Sequence, residues 1–379
     1  MTASSASLSD PRINSGLLWL IVIPGLPWLV WLLRNTSFIF GLSMLALIPI
    51  LYAVIQRLTS GIDLDDLEHR AVFITGCDTG FGNLLARKCL NRGMPVFAGC
   101  LTEQGAESLR AATANSPGKL ETVIINVAST ESVAAAAKFL DQATVKYGGL
   151  HAIVNNAGVF GATFFDDFLS VDQYKDIAEV NTFGVIRVTQ AMKHLVKQTR
   201  GRIVTVSSAA ARVGPINMGP YSVSKFAVSA YCEVIRQELK YFGVSVHVLE
   251  PGIFNTPMAA PENMKKRLDD MWAHAPATTK KEYGEGFYKE STEWLFRSIG
   301  KQKNPHVDVV VDAYFHALTS RFPHLRYQLG PDCQFLYLPL SYMPTGLRDA
   351  IFTVLEALDG VPVPQCVPRS EVEVSRKNA

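Results

Sequence analysis

From Ala71 onward, short runs of aliphatic and β-branched residues alternate with longer stretches whose apolar positions recur at helical spacing. Six of the short runs, Ala71 to Thr75, Pro95 to Gly99, Thr122 to Val127, His151 to Asn155, Arg202 to Val206 and Ser245 to Leu249, read as buried parallel strands. Strands covered on both faces give near-continuous apolar runs, whereas a strand with one wet face alternates. The stretches Gly82 to Arg92, Ser132 to Tyr147, Val171 to Lys197 and Tyr221 to Tyr241 have the length and spacing of helices. This alternation predicts an α/β domain over residues 71–330 built on a doubly wound parallel sheet, with ligands at the carboxyl ends of its strands.

The pattern upstream is different. Two uncharged apolar runs, Gly16 to Leu33 and Phe38 to Ile55, are separated only by Arg34-Asn35-Thr36-Ser37. Each reaches the lower edge of the length needed to cross a hydrocarbon core. Pro24, Pro27 and Pro49 are tolerated in membrane spans, and Trp19, Trp28, Trp31 and Tyr52 suit the membrane–water interface. No basic region precedes the first run and no clear small-residue cleavage site follows it, so a membrane anchor over residues 16–56 fits better than a removed signal peptide. A polar tail (1–15) precedes the anchor and a linker (57–70) follows it. Arg12, Arg34 and Arg57 are too few to select a side of the bilayer, and the sequon at Asn35 lies against both runs. The chain has no arginine- and serine-rich amphipathic presequence, which points to the endoplasmic reticulum, with a mitochondrial membrane as the alternative. Past residue 330, an apolar segment (331–366) contains Phe335 to Leu340, Tyr342 and Met343, a run too short to span. It either dips into the membrane interface or packs on the domain, and residues 367–379 form a polar, fraying tail.

Composition narrows the partners. At 379 residues and 48% hydrophobic, the chain can bury a large core. Its 36 basic and 34 acidic residues nearly cancel, leaving no footprint for nucleic acid; a lipophilic small molecule, a membrane or a second copy of the chain suits it better. Cys77, Cys89, Cys100, Cys232, Cys333 and Cys366 form no C-x-x-C pair, so neither a metal site nor a disulfide framework is expected.

The first predicted strand runs into Thr75-Gly76-Cys77-Asp78-Thr79-Gly80-Phe81-Gly82. Glycines between a strand and a helix allow a tight turn and let a pyrophosphate approach backbone N–H groups. Downstream, Tyr221 and Lys225 stand four residues apart on a predicted helix, thirteen residues after Ser208. At that spacing the two side chains share a face, so the Lys225 ammonium can favour the ionised phenol and make Tyr221 a general acid/base. The same spacing also serves plain surface packing; its company gives it meaning.

TGCDTGFG, then Asn155-Asn156-Ala157-Gly158, Asn181, Ser208, Tyr221, Lys225 and Pro251-Gly252, in this order, resemble the short-chain dehydrogenase/reductase family over residues 70–330. The strings ITGCDTGFGN, VFAGCLTE, KEYGEGF and HALTSRFP look like its retinol and hydroxysteroid dehydrogenase branch, which includes membrane-anchored retinol, 3α-, 11β- and 17β-hydroxysteroid dehydrogenases. VFAGCL, INV and EVN are similar nearly as well to D-3-hydroxybutyrate dehydrogenase.

The resemblance implies a Rossmann-type fold and a catalytic tetrad of Asn181, Ser208, Tyr221 and Lys225. Tyr221 would take the proton of an alcohol as hydride leaves for the nicotinamide, and Ser208 would hydrogen-bond the developing carbonyl oxygen. Lys225 would lower the Tyr221 pKa and hold the nicotinamide ribose, and Asn181 would organise a water that extends a proton relay. Ser208 is favoured over Ser207 by the family spacing, while Asn181 read alone is equally a buried amide satisfied by backbone. Cofactor contacts are implied at Thr75, Gly76, Asp78, Gly80, Phe81, Gly82, Asn126, Asn155, Ala157, Gly158, Tyr221, Lys225, Pro251, Gly252 and Thr256, and substrate contacts at Ser208 and Tyr221.

Two positions depart from the family pattern. Asn126 stands where many relatives carry an acidic residue toward the adenine, and Cys100 where NAD-preferring relatives often carry Asp. No Arg or Lys occurs between Thr75 and Asn83 or between Pro95 and Arg110, and Asp78 and Glu103 would repel a 2′-phosphate. NAD is therefore expected over NADP, unless a distant cation such as Arg87 reaches in. Residues 253–304 are expected to cover the substrate. Met258, Met264, Met271, Trp272 and residues 159–165 would serve as apolar walls or as ordinary packing. The expected function is a membrane-anchored oxidoreductase passing hydride between NAD and a retinol or hydroxysteroid. One alternative is a D-3-hydroxybutyrate dehydrogenase-like enzyme, whose substrate carboxylate Lys265, Lys266 or Arg267 would meet. The other is a non-catalytic lipid- or nucleotide-binding scaffold.

Overall fold

The computed structural model describes residues 27, 31, 38–59, 61–161, 163–259 and 261–368. The first apolar run, apart from Pro27 and Trp31, lies outside the described residues, as do Asn35 and the tail past residue 368. The second run forms helix α1 (Phe38–Thr59). Among the described residues, no helix is long and apolar enough to cross a membrane.

The domain is a seven-stranded sheet in the order β3-β2-β1-β4-β5-β6-β7. Its strands are β1 (Val72–Thr75), β2 (Val96–Cys100), β3 (Leu120–Ile124), β4 (Ala152–Asn155), β5 (Arg202–Val206), β6 (Ser245–Pro251) and β7 (Arg326–Leu329). Every neighbouring pair is parallel. β1, β2 and β4 are buried at every residue, which is why they read as unbroken apolar runs. β3, at the sheet edge, is mostly half-exposed and starts earlier than the sequence predicts, pairing Leu120 to Ile124 with Val96 to Cys100. Asn126 and Val127 consequently fall in the loop beyond it. The sequence reading missed β7: at four residues on the other edge, Arg-Tyr-Gln-Leu is too short to establish a pattern.

The helices up to β6 are α2 (Gly80–Asn91), α3 (Glu103–Ala112), α4 (Thr130–Ala143), α5 (Val171–Ala178), α6 (Gly184–Gln198) and α7 (Gly219–Leu239). After it come α8 (Pro261–His274), α9 (Ala277–Tyr283), α10 (Glu285–Gln302), α11 (Asp308–Thr319), α12 (Leu338–Ser341) and α13 (Thr345–Asp359). Leu85 and Cys89 of α2 pack with Val310 and Tyr314 of α11 against one face of the sheet. Leu140 of α4, Met192 of α6 and Ile235 of α7 cover the other.

The helix expected from Val171 to Lys197 is not continuous. A π-turn over Glu179–Phe183 separates α5 from α6. Such wide turns interrupt the regular hydrogen-bond ladder and recur at functional sites; this one carries Asn181. In the C-terminal segment, Cys333, Tyr337 and Leu340 pack on Ala209 and Val213, while Phe335 and Tyr342 remain 80% and 77% exposed. The apolar run thus packs on the domain through one face only. All the cysteines are free, and only Cys366 is exposed.

Candidate active site

The sheet order reverses between β1 and β4, and the turns following those two strands are bonded to each other there. Thr75 Oγ1 accepts the N–H groups of Asn156 and Ala157 at 3.0 Å each, and Asn156 Nδ2 donates to the carbonyls of Thr75 (2.9 Å) and Gly76 (3.1 Å). The approach is close enough that a Cβ on Gly76 (φ +72°) would lie 2.9 Å from the Ala157 Cα, and one on Gly82 would collide with Asn156 and Gly76. Asn155 turns inward, donating to Thr189 Oγ1 at 2.9 Å. The Asp78 carboxylate accepts from the backbone of Leu101 (2.8 Å) and Thr102 (3.0 Å) and from Thr102 Oγ1 (2.9 Å), which draws the end of β2 against the glycine turn.

Tyr221 lies in the first turn of α7, after Pro220, a residue suited to a helix start. Its ring packs against Phe160 with centroids 4.9 Å apart, and Ser208 stands near enough to its hydroxyl to bear on its ionisation. Ser208 Oγ also accepts the Ala210 N–H at 3.1 Å. Ser207 is spent elsewhere, donating to the Lys225 carbonyl at 3.1 Å and sharing a 2.7 Å bond with Ser229. The Lys225 ammonium donates to the Val206 carbonyl at 3.2 Å and stands 5.6 Å from the Tyr221 ring centroid. Burial sets the electrostatics: it pushes the Tyr221 phenol up to about 12, partly opposed by Ser208, and brings Lys225 down to about 8. Tyr221 therefore stands above the ordinary phenol range in this arrangement, burial outweighing the lowering expected from its neighbours.

Asn181 is 0% exposed, with both amide arms engaged. Its Oδ1 accepts the Val159 N–H at 2.8 Å, and its Nδ2 donates to the Val159 carbonyl (2.9 Å) and to Ser224 Oγ (3.0 Å). Ser224 Oγ in turn donates to the Tyr221 carbonyl at 2.7 Å. The side chain thus couples the loop after Ala157-Gly158 to the turn carrying Tyr221. At the end of β6, Glu250 is fully buried and accepts from Arg212 (2.7 and 3.0 Å) and Arg326. Beyond it, Asp332 accepts the Ile253 N–H at 2.8 Å and fills the space that a side chain on Gly252 would need.

These elements surround one cavity of about 810 Å³. From the glycine turn, its wall takes Gly76, Asp78, Gly80 and Phe81; from the next loops, Asn126, Ala157 and Gly158. Ser208, Tyr221 and Lys225 stand on it, as do Pro251, Gly252 and Thr256. Thr75, Gly82, Asn155 and Asn181 lie behind the wall and shape it. Cys100 faces the core, fully buried, and Leu101 and Thr102 line the cavity in its stead.

The sequence reading missed the far wall, where Trp294 and Leu295 of α10 face Phe352 and Leu355 of α13. The helical spacing of Phe352, Leu355, Glu356 and Asp359 is the signal that could have found it. Met258 reaches the cavity, while Met264 and Met271 belong to a cluster with Phe164, Phe168 and Phe287 behind it. Trp272 stacks on Phe168 at 5.4 Å. Lys265 is paired with Asp269 at 2.9 Å, and neither Lys266 nor Arg267 lines the cavity. Among the described lining residues Lys225 is the sole Lys or Arg, against Asp78, Asp332, Glu356 and Asp359.

The sequence pattern of the family described as short chain dehydrogenase matches residues 70–267. The chain is 40% identical over 309 residues to 17-beta-hydroxysteroid dehydrogenase type 6 of Bos taurus, covering 82% of this chain and 96% of that one. It is 43% identical over 291 residues to retinol dehydrogenase 16 of Homo sapiens, covering 76% and 89%. A short chain dehydrogenase/reductase from Burkholderia phymatum, solved in complex with NAD, shares the fold at a TM-score of 0.57 and 24% identity, over 73% of this chain and 94% of that one. By sequence and by fold the chain belongs to the short-chain dehydrogenase family, and it is an NAD(P)-dependent alcohol dehydrogenase.

Proposed function

We propose that this enzyme is a membrane-anchored dehydrogenase that uses NAD to interconvert a lipophilic alcohol, a hydroxysteroid or retinol, with its carbonyl. The observation that carries the reading is that Tyr221 and Ser208 stand on one cavity lined also by the glycine turn and by apolar residues of α10 and α13, with Lys225 the sole Lys or Arg among the described lining residues. The names of the 17-beta-hydroxysteroid and retinol dehydrogenases at about 40% identity support the same substrate class.

The glycine turn fits a dinucleotide. Gly80 has φ +65° with nothing within 4 Å of the position a Cβ would take, leaving open space at the N-terminus of α2. Asp78, Leu101 and Thr102 line this end without an Arg or Lys; Arg110 is occupied by Glu103 (2.7 Å) and Thr122 (3.0 Å). A ribose with free hydroxyls suits that wall and a 2′-phosphate does not, which supports NAD over NADP. When bound, the dinucleotide supplies the acceptor of the hydride and, oxidised, a positive charge.

In this proposal Ser208 donates to the substrate oxygen, and Tyr221 exchanges the proton with it. At neutral pH a phenol held near 12 is protonated, the form needed to reduce a carbonyl; oxidation of an alcohol requires it to surrender that proton. Lys225 carries the nearby positive charge that favours this loss. Asn181 acts as a positioning residue for the turn that holds Tyr221.

A short hydroxyacid is less well served: its carboxylate would face Asp332, Glu356 and Asp359 with Lys225 as the lone counter-charge on the wall. The two apolar runs upstream of residue 56 support the anchor and a site in the endoplasmic reticulum membrane. Membranes carrying the full chain, assayed with NAD and NADP against hydroxysteroids, all-trans-retinol and 3-hydroxybutyrate, test the whole reading. Turnover of a steroid or retinol with NAD is the expected result. Preference for 3-hydroxybutyrate, or for NADP, would overturn the corresponding part, and retention of activity on membranes after removal of residues 1–56 would overturn the anchor.

A further inference from the structure

Two carboxylates stand one turn apart on the cavity face of α13, and they are treated in opposite ways. Asp359 accepts from Trp294 Nε1 at 2.9 Å, from Ser298 and from Lys301 at 3.0 Å, so its charge is compensated and it clasps α13 to α10. Arg297 donates to the carbonyl of the same residue at 3.2 Å. Both cations of α10 beside this helix are thereby engaged with Asp359. Glu356 has only its backbone in use, its carbonyl accepting the Gly360 and Val361 N–H groups at the end of the helix. Its half-buried side chain lines the cavity beside Phe352 and Leu355 and makes no hydrogen bond or ion pair among the described residues. Burial alone raises its carboxyl above the ordinary range, with no neighbouring charge contributing.

A carboxylate kept on an apolar wall without a partner costs stability, and packing gives no reason for it, since Leu or Met would fill the same space. A ligand that brings a donor does give a reason. Building on the proposed lipophilic-alcohol activity, we infer that Glu356 is a specificity-determining residue, accepting a hydrogen bond from a second hydroxyl on the substrate, remote from the one that reacts at Tyr221. Tyr221 and Glu356 line the same cavity of about 810 Å³, and in this inference a rigid polycyclic diol presents one hydroxyl to Tyr221 and the other to Glu356. Retinol, with a single hydroxyl, cannot do both.

The test uses the full-length enzyme in membranes with NAD and three androstanes: a diol with hydroxyls on its first and last rings, and the two mono-ols that each lack one of them. Wild type is expected to show a KM for the diol about tenfold below that for the reacting mono-ol at similar kcat, the size of a hydrogen bond to a charged acceptor. Glu356→Leu should abolish that ratio, and Glu356→Gln, which can still accept, should restore part of it. A wild-type enzyme without preference for the diol, or a preference unchanged in Glu356→Leu, overturns the inference. Should no androstane be turned over, the substrate reading itself fails. The ratio is then read from equilibrium binding by quenching of tryptophan fluorescence, where the same loss in Glu356→Leu is required.

Discussion

At the strand ends of the cavity the shape is set by backbone, and at the α10–α13 wall by side chains. Gly76, Gly82 and Gly252 each stand where a Cβ would strike backbone, an amide or a carboxylate, and Thr75, Asn156 and Asp332 fasten the turns through main-chain hydrogen bonds. The opposite wall consists of Trp294, Leu295, Phe352 and Leu355, joined by the single clasp at Asp359. A rigid backbone cradle suits a ligand that never changes, and an apolar wall can be resized by substitution without disturbing it. The two halves should therefore fail differently.

The largest effect is expected at the cradle. Gly82→Ala forces the turn apart, with an overpacking cost of about 1–3 kcal/mol or more, so it should lower the melting temperature and abolish binding of the reduced cofactor in a fluorescence titration. A normal dissociation constant for this variant would break the distinction. Between the halves, Ser208→Ala removes a donor to the developing charge and should lower kcat/KM about a hundredfold, with cofactor binding intact. Loss of cofactor binding instead would make Ser208 part of the cradle.

At the far wall, Leu355→Ala should raise KM for the lipophilic alcohol by roughly tenfold or less and leave the cofactor constant untouched; an equal change in both would merge the two halves. The smallest effect concerns pH. Because burial holds Lys225 near 8 and Tyr221 near 12, carbonyl reduction should be level below pH 8 and decline above it as Lys225 loses its charge, with the phenol still protonated. A reduction rate that stays flat to pH 10 would remove Lys225 from the proton chemistry.

The same division explains what could be read in the sequence. A turn that only glycine can make restricts its residues locally, so TGCDTGFG and NNAG announce both the switch point and the ligand class. Strands buried on both faces are equally visible, whereas β3 and β7 at the edges carry too little pattern and were misplaced or missed. The π-turn at Glu179–Phe183 has no sequence periodicity to mark it, so α5 and α6 read as one helix. The rise of the Tyr221 phenol was not legible either: helical spacing brings Lys225 alongside, but the burial that raises the phenol is set by the tertiary fold. For the far wall, Phe352 and Leu355 come together with Trp294 only through the tertiary fold, and an apolar helix face looks the same whether it meets a core or a ligand.

The central claim, that Tyr221 exchanges the substrate proton between these two halves, is tested most directly by Tyr221→Phe in full-length membranes. Initial rates of NAD reduction by a hydroxysteroid and by retinol are measured beside fluorescence titration of the reduced cofactor. The account predicts a fall in kcat of about a thousandfold or more, within the range of general acid–base catalysis, with cofactor affinity within a few-fold of wild type. Turnover within tenfold of wild type would contradict it.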